Sequence, residues 1–140
     1  MTGETISAAI RAKACELGVK GVGGWTVLTP NSFYDETNYA SYVVVDRFIR
    51  HADPADPEDT GTNYMGVAFT KMAQMVRTFH DSGMGEYEFA MHGEFDYRGG
   101  KFCTFGSDED TNVFLVFFSG GTEDQDCVIA QAGLDAALEE

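Results

Sequence analysis

Cysteine, proline and basic residues are scarce in this chain. Three of its 140 residues are cysteine, three are proline, and nine lysines and arginines face 23 acids. Cys15, Cys103 and Cys127 are odd in number and have no CxxC spacing. That argues against a disulfide framework or a zinc knuckle and for buried, reduced thiols. A formal net charge of -14 repels phosphate backbones, so nucleic acid is not an expected partner. Long hydrophobic runs are also missing. "YVVV" and "VFLVFF" fall far short of the roughly 20 apolar residues that span a bilayer, so no membrane partner is expected. The N-terminus has no basic segment followed by an apolar one, and the chain reads as cytoplasmic. A GxxxxGK[ST] loop, a βαβ glycine fingerprint, internal repeats and low-complexity tracts are absent as well.

What remains is enough to fold. Hydrophobic residues make up 44% and aromatics 13%, which argues against a mainly disordered state and for one domain over residues 1–140. Ile6, Ile10, Ala14 and Leu17 predict a helix over 5–17, with Thr5 as its cap and Gly18 as its stop. Strands are expected at 22–29 and 41–50. The acidic, proline-bearing stretch 51–62 reads as an exposed loop. Tyr64, Ala68, Met72, Met75 and Phe79 make one helical stripe and predict a helix over about 63–80. Residues 87–97 and 101–105 read as a hairpin turned at Arg98-Gly99-Gly100. The apolar run 113–118 suits a central strand covered on at least one face, and a helix closes the chain at about 123–138. These elements predict an α+β fold: a five-stranded antiparallel sheet with helices packed on it as a two-layer domain.

The stretch "FFSGGTEDQD" (117–126) has two readings. As structure, Gly120 and Gly121 permit a sharp reversal. Thr122 and Gln125 form a capping box, and Glu123, Asp124 and Asp126 face the positive end of the helix dipole. As a site, the glycines would let a ligand approach backbone N–H groups at a helix start. The acids there compete with any anion, which favours the corner.

The same stretch, with the "CVIAQAGLDAAL" that follows, resembles the C-terminal signature of the GlcG/HbpS-like family of haem-binding or haem-degrading domains. Ser119, Gly120, Gly121, Thr122, Gln125, Asp126, Ala130, Ala132 and Gly133 match it. "SAAIRAKACELGVK" resembles the family's first helix. Arg50 in "FIRHAD" and Lys71 in "YMGVAFTKMAQMVRT" match an arginine and a lysine of its pattern, and "YRGGKF" resembles a hairpin. The resemblance implies a profilin-like α+β fold and a homo-oligomer. It implies a small-molecule or tetrapyrrole ligand, with haem a possible cofactor.

Arg50, His51 and Lys71 are therefore candidate ligand-binding residues, two cations able to hold a carboxylate. The competing reading has Lys71 snorkelling from a half-buried face and Arg50 pairing with a loop acid. His51, His80 and His92 are candidate iron or metal ligands by type. They lack metal-ligand spacing, so no metal site is expected. Ser119, Gly120 and Gly121 join the candidate list as the possible cradle. Ser119 and Cys103 lie outside any nucleophile motif, and Glu94 and Asp96 read as a solvated hairpin face. Three functions stay open: a small-molecule or tetrapyrrole binder, a small pathway enzyme using His51 or His92 as base, and a ligand-free interaction module.

Overall fold

Residues 113–118 are apolar at every position because both sides of their strand are covered. The computed structural model describes residues 3–28, 39–84, 91–105 and 112–139. In order, the elements are α1 (Gly3–Leu17), β1 (Gly21–Leu28), β2 (Tyr39–Val45), β3 (Ile49–Arg50), β4 (Thr62–Asn63), α2 (Tyr64–Thr78), β5 (Gly100–Phe105), β6 (Asn112–Ser119) and α3 (Glu123–Leu138). Four strands form one antiparallel sheet in the order β2-β1-β6-β5, and β3 and β4 pair separately.

The alternation of β6 divides the core. Phe114, Val116 and Phe118 pack with Ile6, Ile10 and Ala14 of α1 and Ile129, Ala130 and Leu134 of α3. Val113, Leu115 and Phe117 face the other way and pack with Ala68 and Met75 of α2. The expected five-stranded, two-layer arrangement is thus corrected, among the described residues, to a four-stranded sheet with helices on both faces. Each fully buried phenylalanine contributes about 1.5–3 kcal/mol. Two glycines make room for these rings. A Cβ on Gly23 would lie 2.6 Å from the Phe118 ring, and one on Gly24 2.8 Å from the Phe117 ring. Gly23 and Gly24 pair with those same two residues across the ladder.

Other expectations need correction. Helix α1 begins at Gly3, so Thr5 lies inside it and does not cap it. The strand expected over 41–50 breaks at Asp46, whose φ of 70° takes the chain out of the ladder. Aspartate tolerates that left-handed conformation better than most residues. Phe79 leaves the helical stripe, caps α2 at φ 55° and stacks on Phe102 at 5.7 Å. Of the strand expected over 87–97, residues 87–90 lie outside the described residues, and 91–97 are turn and irregular chain. β5 pairs with β6 instead. The reason is visible in α2. Thr70, Gln74 and Arg77, at i, i+4 and i+7, take up the polar groups of 91–97. The N–H of Phe95 donates to Thr70 Oγ1 at 3.0 Å, Gln74 Nε2 donates to Asp96 at 2.9 Å, and Arg77 pairs with Glu94. The segment is strapped to a helix by side chains, not to a strand by backbone.

The ends of the elements follow local chemistry. Gly18 adopts φ 69° after α1, as its stop position requires. Thr122 caps α3 in a reciprocal box with Gln125. No described helix is long and apolar enough to cross a membrane.

Candidate functional site

Lys71 is a fully buried lysine. It is 2% exposed, on α2, and sits where β6 runs out. Its Nζ donates to the Phe118 carbonyl at 2.6 Å and to Asp126 Oδ2 at 3.1 Å. It does not snorkel. Asp126, in the first turn of α3, is buried too, and its other oxygen accepts from the Gly121 N–H at 2.9 Å. One ion pair therefore ties α2, the end of β6 and α3 together. Gly99 permits it. A Cβ there would lie 2.5 Å from Lys71 Nζ, and its φ of 124° disfavours a side chain anyway. Burial pushes the Lys71 amine below its ordinary value, against the opposing charge of Asp126. Burial also pushes the Asp126 carboxyl up, against Lys71 and the backbone N–H groups.

The glycine corner is thereby explained. Its inward N–H group is turned to a carboxylate that the chain itself supplies, and Thr122 N–H is taken by Gln125 at 2.9 Å. The anion seat at the start of α3 is filled by Asp126.

Two adjoining pockets flank α2. The first, of about 650 Å³, is lined by Val67, Phe69 and Thr70 of α2, by Gly61 to Asn63, and by Phe95 and Tyr97. Phe95 and Tyr97 stack at 5.9 Å and are 60% and 41% exposed, an open aromatic wall. The second, of about 460 Å³, is lined by Lys71, Ser119, Gly120, Gly121, Asp126 and Arg98, with Tyr64 and Glu123. Thr62, Val67 and Tyr97 line both. Arg98 is half-exposed at the second pocket and pairs with Asp124 at 3.1 Å.

Four of the sequence candidates, Lys71, Ser119, Gly120 and Gly121, line one pocket. Arg50 and His51 together line two other hollows beside β3 and β4. Arg50 forks onto Asp59 at 2.8 and 2.9 Å, the loop-acid pairing that was its alternative. His92 is exposed beside Gly93, which lines the aromatic pocket. Among the described residues no histidine lines either pocket, and no cluster of metal-ligating side chains occurs. Glu94, expected on a solvated face, is buried against Arg77. The expectation of buried thiols is corrected: Cys15 is exposed, and Cys103 and Cys127 are partly buried, with desolvation raising the Cys103 thiol. The sequence reading missed Phe95, Tyr97 and Arg98. The signal was the polar i, i+4, i+7 series on α2, which marks a face that receives another segment.

This is an α+β sheet with helices on both faces and an aromatic pocket beside its middle helix. No protein-family model matches the chain, and no curated protein matches it significantly in sequence. In structure it is similar to the PduOC:heme complex, with a TM-score of 0.57 at 16% identity over 95% of this chain and 89% of that one. It is also similar to the Klebsiella pneumoniae protein ORFY, with a TM-score of 0.48 at 18% identity over 97% and 89%. For HbpS the TM-score is 0.46 at 15% identity, over 99% and 89%. At that identity the likeness to PduOC is one of fold.

Proposed function

We propose that this chain is a small-molecule-binding protein whose ligand is a flat, amphipathic, carboxylate-bearing compound of the tetrapyrrole class. The observation that carries the reading is the aromatic pocket. Its volume falls within the range of small-molecule sites, its wall exposes two stacked rings, and Arg98 follows directly after Tyr97. A ring system would lie against Phe69, Phe95 and Tyr97, and its carboxylates would turn toward Arg98. The likeness in fold to a protein crystallised with haem makes this ligand class the first to test. Iron is a poorer fit than the porphyrin. Among the described residues the pocket offers Tyr97 and no histidine as a ligand type for haem iron. Recognition would therefore rest on the ring and its acids.

Titration of the protein with hemin, followed in the Soret band, tests this. Saturable binding at stoichiometric ratio is expected, and metal-free protoporphyrin should bind within about threefold of hemin. Replacing Phe95 and Tyr97 together by alanine removes about 1–3 kcal/mol of ring contact, a loss of roughly 5- to 150-fold. A linear, unsaturable spectral change in the wild-type protein would overturn the reading.

We further propose that the protein acts as a homo-oligomer. Tyr42, Phe48 and Ile49 are exposed together beside the edge strand β2, which supports that reading. Light scattering across a concentration series reads it directly, and a monomer at all concentrations would contradict it.

A further inference from the structure

Lys71 holds a role that ligand stacking in the aromatic pocket does not use. A buried lysine beside a buried aspartate serves packing when every donor is satisfied. Here the Nζ has two acceptors among the described residues, the Phe118 carbonyl and Asp126. An ammonium carries three N–H groups and a neutral amine two plus a lone pair. Two acceptors leave one position on the nitrogen without a partner among the described residues, the third N–H of the ammonium or the lone pair of the amine, and Lys71 lines the second pocket. That pocket also holds Arg98, a carboxylate-binding type.

We propose that Lys71 is a carbonyl-trapping amine, forming a reversible imine with a small 2-oxo acid whose carboxylate is held by Arg98. The step balances within the pair. Asp126 takes one proton from the ammonium, and the freed lone pair of Nζ attacks the carbonyl carbon. Asp126 returns that proton to the carbonyl oxygen, giving the alcohol. It then removes a proton from the nitrogen and passes it to the hydroxyl, which leaves as water while the C=N bond forms. The net change is ammonium plus carbonyl to iminium plus water, and Asp126 ends as the iminium's counter-ion. Desolvation of the amine assists, because it favours the neutral nucleophile. The imine forms in the second pocket and shares Arg98 with the proposed porphyrin site. The adduct on Lys71 and the Soret titration read different residues, so either can fail without the other.

The test is reductive trapping on the wild-type protein with pyruvate and cyanoborohydride, followed by peptide mapping. The adduct should appear first on Lys71, ahead of the other three lysines, Lys13, Lys20 and Lys101. All three have more exposed side chains. Denaturing the protein should abolish the preference. Acetone, with a methyl group in place of the carboxylate, should label Lys71 at least about tenfold more slowly, equivalent to about 1.4 kcal/mol. Arg98→Ala should bring the pyruvate rate down to the acetone rate. Labelling that follows lysine exposure, or no adduct on Lys71, overturns the proposal. Equal rates with pyruvate and acetone overturn the assignment of Arg98. The wild-type mapping decides the matter even where a Lys71→Arg variant does not fold.

Discussion

Removing either half of the Lys71–Asp126 pair should destabilise the protein far more than removing both. Lys71→Met leaves the Asp126 carboxylate buried with backbone N–H partners and no counter-charge, and strips the Phe118 carbonyl of its Lys71 donor. An uncompensated buried charge of this kind costs about 3–5 kcal/mol. Asp126→Asn leaves the buried ammonium without a counter-charge, and the same range applies. The double variant Lys71→Met, Asp126→Asn buries no charge. Its remaining loss is the unpaired Phe118 carbonyl, about 1–3 kcal/mol. The cycle should therefore show a coupling of at least about 2 kcal/mol. For a chain of this size, each single variant should lower Tm by roughly 10–20 °C. Urea unfolding read by the fluorescence of Trp25 suits the measurement, because that single tryptophan is buried against Phe114. Single variants within about 1 kcal/mol of wild type, or strictly additive losses, would refute the reasoning.

Further outcomes follow from other contacts. The Asp59 carboxyl is held well below the ordinary carboxylate range by the Arg50 guanidinium and by the N–H groups of Asp53 and Gly61. A depressed carboxyl contributes stability that is complete above its ordinary pKa and is lost as pH falls through that value toward the folded one. The urea midpoints of wild type and Asp59→Asn should therefore differ most near pH 7 and converge below about pH 4, and a pH-independent gap would contradict this. Gln74 joins α2 to both Gly83 and Asp96. Gln74→Ala should raise amide hydrogen exchange across 93–97 and weaken hemin binding, whereas unchanged exchange would show that the strap does not depend on it. Thr122→Ala breaks the capping box of α3 and should cost about 1 kcal/mol in the same urea assay.

Much of the architecture is legible in the residues. The glycine stop after α1, the central place of 113–118, the capping box at Thr122 and the bounds of α3 follow from local propensity and periodicity. The corner reading of "SGGTEDQD" holds as well, with Asp126 filling the seat that a ligand anion would need. The errors share a cause. The segment 91–97 alternates like a strand, yet Thr70, Gln74 and Arg77 capture its polar groups. That competition lies between residues some 17 to 25 apart in sequence, and periodicity within one segment carries no trace of it. The two-layer expectation failed because a run apolar at every position does not say which faces are covered. Arg50 and Lys71 match one family pattern, yet they line different pockets and each has its own acid. The aromatic pocket escaped notice because its wall comes from the segment misread as a strand.

A crystal structure of the protein grown with protoporphyrin IX tests the central claim most directly. The account predicts a ring stacked on Phe95 and Tyr97 beside Phe69, with its carboxylates toward Arg98. A porphyrin ordered anywhere else on the chain, with that aromatic wall empty, would contradict it.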